Sequence, residues 1–129
     1  MSLKAGIVGH NGYSGAELVR ILHRHPHVQP VLLDHRDDSA PPVFRRAKPS
    51  ARIPCTAEAV QAEQLAVVFL ATAPAVSMEL APAMLQARAR VIDLSGAFRL
   101  RTPENYTAWY KEPHTQPELL GMRLSLIHI

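Results

Sequence analysis

The sequence predicts an α/β chain with a Rossmann-like doubly wound parallel sheet. Three observations predict it: apolar runs of strand length, helical spacing between them, and glycines at every third position where the first run meets the first helix. Leu3 to Val8 is short, apolar and followed by glycines, so it reads as a buried strand entering a turn. From Ser14 the spacing becomes helical, with Leu18, Ile21 and Leu22 on one face, and Ser14 to Glu17 fits an S-x-x-E capping box. This helix is expected to end near His25, before Pro26. Val31 to Asp34 is a second apolar run, and Ala66 to Ala71 a third, continuously apolar as a strand covered on both faces must be. Between them, Asp37 to Arg52 is rich in Pro, Arg and Asp and lacks a period, which predicts a surface loop. Val76 to Arg88 carries Met78, Ala81 and Leu85 at helical spacing, with Pro82 expected to kink or delay the helix. Val91 to Leu94 supplies another strand. Thr102 and Pro103 look like a helix cap and first helical residue, opening an amphipathic turn through Tyr106, Trp109 and Tyr110. Strand, helix, strand in succession implies right-handed crossovers and a parallel sheet. No internal repeat is present.

Composition narrows the class. A chain of 129 residues with 47% apolar content can bury one core, so a single domain is expected. Charged residues at 19% and a mean hydropathy of −0.03 argue against disorder. No apolar run approaches a membrane span, and the start lacks the basic head and long apolar stretch of a signal peptide, so no membrane partner and a cytoplasmic location are expected. The lone Cys55 cannot form an internal disulfide, in keeping with a reducing compartment. The net charge of +3 comes largely from Arg36, Arg45, Arg46, Lys48 and Arg52. Asp34, Asp37 and Asp38 interrupt this cluster and Phe44 is its one aromatic, so a solvated loop or a cofactor-phosphate contact fits it better than a nucleic-acid surface.

Gly6, Gly9, Gly12 and Gly15 carry the chemistry. Between a strand and a helix, glycines let the backbone turn tightly and approach a pyrophosphate, while the helix N-terminus attracts the anion. The expected cofactor contacts are Gly9, Asn11, Gly12, Tyr13, Ser14 and Gly15, with Thr72 after the third strand. Ser14 also has a purely structural reading as a helix cap. The second strand ends at Asp34, where an acid would accept the ribose hydroxyls of NAD, and Arg36 two residues later would instead pair with the 2′-phosphate of NADP. On these residues alone, NAD and NADP stand level. Ser95 and Arg99 follow a strand's carboxyl end, where α/β folds place ligands, and are assigned to the substrate rim; the alternative is that Arg99 only closes its loop. His23, His25 and His27 fall on different faces of a helix end and turn, so no metal site is expected.

Four ordered blocks carry a specific likeness. GIVGHNGYSGAELVRIL at Gly6 to Leu22, VVFLATAPAVSMELAP at Val67 to Pro82, VIDLSGAFRL at Val91 to Leu100 and NYTAWYKEPHTQPELL at Asn105 to Leu120 resemble the N-acetyl-gamma-glutamyl-phosphate reductases. That resemblance implies NADPH-dependent reduction of an acyl phosphate to an aldehyde in arginine biosynthesis, by a protein expected to be a homo-oligomer, and it tips the cofactor expectation to NADP. The chain departs from the family at Thr72 to Ala75, where Leu-Pro-His-Gly is frequent, so no role for that histidine transfers; Ala97, Phe98 and Arg99 stand where Asp-Phe-Arg is usual. Acyl-phosphate reduction needs a thiolate to displace phosphate before hydride transfer. The family's Pro-Gly-Cys block, which bears that thiol, does not occur in this sequence, and Cys55 lies in a Pro- and Ala-rich stretch with Arg52 as its nearby cation, so no catalytic residue is assigned. Residues 1–123 are therefore expected to be a partial NAD(P)-binding domain whose α+β substrate domain is missing, active in binding only. The likeness ends after Leu120, and residues 124–129 are expected to be non-native, because LSLIHI is what one frame of a common transposon-derived sequencing adapter encodes. Two rivals share the glycines: an acyl-phosphate reductase of lysine biosynthesis, and a non-catalytic nucleotide-binding module.

Overall fold

The computed structural model describes residues 2–35, 49–122 and 124–125. Five strands, β1 (Leu3–Val8), β2 (Val28–Asp34), β3 (Ala51–Pro54), β4 (Val67–Leu70) and β5 (Arg90–Asp93), form one sheet in the order β3-β2-β1-β4-β5. Every pairing is parallel, with Ala5 opposite Pro30 on one side of β1 and opposite Val67 on the other. The chain begins in the middle of the sheet, steps outward through β2 and β3, and returns to the other side of β1 through β4 and β5. The strand order thus reverses between β1 and β4, and the crevice at their carboxyl ends is the switch point where doubly wound sheets bind ligands.

Helices cover both faces. α1 (Tyr13–His23) packs Val19 and Leu22 against Ala5, Ile7 and Leu32. The alternate residues Val8, Val31, Leu33, Val68 and Leu70 face a larger cluster built with α2 (Ala57–Glu63), α3 (Pro74–Gln86) and α4 (Pro103–Tyr110), through Val60, Met78, Ala81, Met84 and Tyr106. Side chains of a strand alternate between faces, so this division of one strand between two cores is what the double winding requires.

Several elements differ from the sequence expectation, each for a physical reason. β2 starts at Val28, ahead of the predicted Val31, and contains Pro30. Pairing with β3 begins only at Val31, so Pro30 has β1 as its single neighbouring strand. The cap of α1 is Gly12, with no side-chain hydrogen bond, so the Ser14–Glu17 capping box does not form; Ser14 already lies inside the first turn. The buried stripe of α1 is Gly15, Ala16, Val19 and Leu22, while Ile21 is 47% exposed. Small residues touch the sheet there, and a count of large apolar side chains misplaces the stripe. The predicted loop ends in β3, an edge strand containing Arg52, and α2 follows with Thr56 as its cap, the hydroxyl accepting from the Ala59 amide at 3.1 Å. α3 begins at Pro74, favourable at a first helical position, and runs on through Pro82, which forgoes one intrahelical hydrogen bond rather than delaying the helix. α4 matches expectation, with Thr102 accepting from the Asn105 amide at 3.1 Å. After a 3₁₀ turn at Pro117–Met122, Leu124 is buried in the larger cluster and its carbonyl accepts from the Asp93 amide at 2.7 Å. Among the described residues, no helix is long and apolar enough to cross a membrane.

Candidate functional site

The glycine turn lies at the switch point. Gly9, just after β1, has φ +80°, a left-handed conformation that favours glycine. A Cβ on Gly9 would sit 2.1 Å from the Ala71 carbonyl oxygen and 3.3 Å from the Thr72 methyl, so the turn is pressed against the end of β4. A Cβ on Gly15 would sit 2.0 Å from the Gly9 carbonyl oxygen, which presses α1 onto the turn. The Gly12 amide donates to the same oxygen at 3.2 Å. Gly12 itself is different. Its backbone is extended (φ −78°, ψ 176°), and among the described residues a Cβ there would meet nothing nearer than the Gly9 oxygen at 3.6 Å. Neither conformation nor packing among the described residues calls for glycine at position 12. What remains is an open cradle at the start of α1, a helix of 11 residues whose first-turn amides have no acceptor within the helix. Tyr13 and Ser14 are exposed at this rim, and Thr72 borders it, its hydroxyl 2.7 Å from that of Ser77. The structure therefore brings Gly9, Asn11, Gly12, Tyr13, Ser14, Gly15 and Thr72 to one end of the sheet. Arg36 lies outside the described residues.

At the end of β2, Asp34 accepts from Arg52 Nη2 at 2.6 Å and Nε at 3.3 Å, and its Oδ1 lies 3.2 Å from His10 Nε2. Burial alone would raise the Asp34 pKa, but hydrogen bonds and charge from Arg52, then from His10, hold it below the ordinary carboxylate value. His10 is fully buried, and its Nδ1 lies 3.2 Å from Asn11 Oδ1, which ties the glycine turn to Asp34.

The loop after β5 holds a second group. Asp93 is buried; it accepts from the Ser95 hydroxyl at 2.8 Å and the Ser95 amide at 3.2 Å. Burial raises its pKa, against the opposing hydrogen bonds of Ser77 and Ser95 and the charge of Arg99. Thr72, Ser77, Asp93 and Ser95 thus link the ends of β4 and β5. Arg99 Nε is buried without a hydrogen-bond partner among the described residues, and Arg99 lines a cavity of about 370 Å³ with Leu100, Trp109 and Tyr110. Ser95 is held by Asp93 rather than turned outward, so the two rim residues differ: Arg99 faces a cavity, and Ser95 braces the loop. Cys55 follows β3, half-buried against the larger core. Among the described residues, no three His, Cys, Asp or Glu side chains gather to hold a metal.

Sequence reasoning missed His10 and Asp93, and placed Arg52 only within a basic cluster, without its pairing to Asp34. A histidine inside a glycine run and an acid closing an apolar strand were available signals; the strand that carries Arg52 gave none, because it has no apolar pattern.

The sequence profile of the family described as "Semialdehyde dehydrogenase, NAD binding domain" matches residues 4–122. The chain is 41% identical over 125 residues to an N-acetyl-gamma-glutamyl-phosphate reductase of Nitrosococcus oceani, covering 92% of this chain and 36% of that protein. It is 46% identical over 117 residues to one of Thermus thermophilus, covering 88% and 33%. The chain spans about a third of the length of the curated relatives it matches. Among solved structures, an aspartate semialdehyde dehydrogenase with NADP from Candida albicans superposes with a TM-score of 0.62 at 18% identity, over 82% of this chain and 36% of that one. A dihydrodipicolinate reductase from Paenisporosarcina superposes with a TM-score of 0.58 at 20% identity, over 73% and 37%. These two share the fold.

Proposed function

We propose, because this chain belongs to the semialdehyde dehydrogenase NAD-binding domain family, that residues 1–123 bind a nicotinamide dinucleotide at the glycine turn, NADPH in preference to NADH, for the reduction of N-acetyl-gamma-glutamyl phosphate to its semialdehyde by the whole protein. The observation that carries the binding reading is the contrast among the glycines: Gly9 and Gly15 are closed by backbone contact, whereas Gly12 opens onto space at a helix N-terminus. A pyrophosphate needs that arrangement, with close backbone approach and converging amides. The choice of acyl phosphate rests on the reductases that are 41% and 46% identical to this chain.

In this reading each residue has a separate role. Gly9 and Gly15 shape the turn, and Gly12 with the amides of Tyr13, Ser14 and Gly15 faces the pyrophosphate. Asn11 and Thr72 border it, and Arg36 is assigned to the 2′-phosphate. The bound cofactor supplies hydride. Arg99, with Nε unpaired among the described residues and beside a cavity, is suited to an anionic oxygen of the substrate, and Ser95 holds its loop. The thiolate that this chemistry needs is not assigned to Cys55, which packs on the core; the reading places it in a part of the whole protein beyond these 129 residues. Calorimetric titration of the chain with NADPH and NADH tests the binding step. One charge-assisted phosphate contact of about 1.5 kcal/mol predicts NADPH tighter by roughly tenfold. Absence of NADPH binding at millimolar concentration refutes the reading.

A further inference from the structure

We propose that Arg52, locked against Asp34 at the outer edge of the sheet, selects the 2′-phosphorylated form of the dinucleotide. The proposal rests on the dinucleotide reading above and concerns a residue that reading did not use.

Asp34 closes β2, the position from which a doubly wound domain offers a carboxylate to the ribose 2′-hydroxyl. Here that carboxylate is occupied. Arg52 Nη2 and Nε lie 2.6 and 3.3 Å from its two oxygens, and His10 Nε2 lies 3.2 Å from Oδ1. Two of about four lone-pair sites on an ionised carboxylate are engaged by Arg52, the His10 ring lies against the same oxygen, and the carboxylate's charge faces a guanidinium. A ribose hydroxyl finds little acceptor left, while a phosphate no longer meets a bare negative charge.

Arg52 is placed to do more than neutralise. Register pairs it with Leu32, two residues before Asp34, on an edge strand, so its side chain reaches along the sheet toward the carboxyl ends. The side chain is 49% exposed. A guanidinium carries five N–H donors in a planar fork suited to phosphate, and the two atoms turned to Asp34 do not exhaust them. His10 completes the device from below: fully buried, and close to both Asp34 and Asn11, it fixes the Asp34–Arg52 pair relative to the glycine turn. The pyrophosphate cradle and the 2′-selecting cation are thus held in one hydrogen-bonded unit.

The test uses ADP-ribose and 2′-phospho-ADP-ribose, which differ only at the selected group, titrated calorimetrically into the 129-residue chain and its Arg52→Gln, Arg52→Lys and Arg36→Ala variants. Wild type should prefer the phosphorylated compound by at least roughly tenfold, the equivalent of one strong contact. Arg52→Gln should shrink that preference several-fold with ADP-ribose binding kept or tightened, and Arg52→Lys, which keeps charge but loses the fork, should fall between. An unchanged preference in Arg52→Gln, or a preference lost only in Arg36→Ala, overturns the proposal. If circular dichroism shows Arg52→Gln unfolded, Arg52→Lys decides, an unchanged preference again overturning it. Equal binding of both compounds by wild type overturns the selection while leaving the glycine-turn reading standing. Binding of neither overturns both.

Discussion

Replacing Gly15 by alanine should destabilise the fold even though alanine is the better helix former. Gly15 lies in the first turn of α1 with no unusual backbone conformation, so propensity alone favours Gly15→Ala by up to about 1 kcal/mol. Packing opposes it. The new Cβ would lie 2.0 Å from the Gly9 carbonyl oxygen, 2.7 Å from the Gly9 carbonyl carbon and 2.9 Å from the His10 Cα, all backbone atoms without a rotamer to escape into. Ordinary contact begins at 3.4 Å, so α1 and the turn must separate by about 1.4 Å, the difference between 3.4 and 2.0. Gly9 cannot yield easily, because its own position is closed by the Ala71 carbonyl. Overpacking of this kind costs about 1–3 kcal/mol, and a clash rigid on both sides belongs at the upper end. The net loss is about 2 kcal/mol, or a fall in Tm of roughly 6–10 °C for a chain of this size. Thermal unfolding followed by far-ultraviolet circular dichroism reads it directly. An unchanged or raised Tm would refute the claim that α1 is pressed onto the turn through Gly15.

Three further outcomes are expected. Arg36→Ala should cost NADPH affinity about 1.5–3 kcal/mol with NADH affinity unchanged, as the loss of a charge-assisted contact requires; a retained preference in calorimetry would remove Arg36 from the site. The 129-residue chain should show no phosphate-dependent, NADP-linked oxidation of N-acetylglutamate semialdehyde, since without a nucleophile holding the acyl group most of the proximity advantage, ~7 kcal/mol or more, is lost. Turnover that survives Cys55→Ser would contradict this, and turnover abolished by it would make Cys55 catalytic. Asp93 should give stability a pH dependence of defined sign. Its folded pKa is raised by burial, so its favourable contribution is complete below the ordinary value of 3.8 and is lost as pH rises through the folded value. Urea unfolding across that range should show the decline, and Asp93→Asn should flatten it; an identical profile in the variant would mean Asp93 does not carry the dependence.

Much of the fold was legible because local chemistry and tertiary role coincide. β1 has the limits its apolar run suggested, and the Thr102-Pro103 pair opens α4 as side-chain capping demands. β3 and α2 were not legible: three of the four residues of β3 are exposed, and the seven-residue α2 buries only Val60, too short a record for a period to emerge. The glycine turn could be read as a unit, yet the separate duties of Gly9, Gly12 and Gly15 depend on how near β4 and α1 come to it, which no spacing encodes. Asp34 stands in the sequence as the NAD alternative to Arg36, but its partner Arg52 lies 18 positions away in a segment read as loop, and the burial of His10 follows only from the packing of the turn. Polar partners brought together across strands are the part of a site that a single sequence conceals.

The most direct measurement is NADPH affinity in Gly12→Val, taken with its Tm. Gly12 has an extended backbone that valine adopts, and a Cβ there meets no atom of the described residues closer than 3.6 Å, so the variant should melt within a few degrees (~3 °C) of the parent. If the open space beside Gly12 is where the pyrophosphate lies, the valine side chain fills it and removes close backbone approach, and calorimetry should detect no NADPH binding. A folded Gly12→Val chain that binds NADPH as tightly as the parent would contradict the account, because the glycine turn would then be structural only.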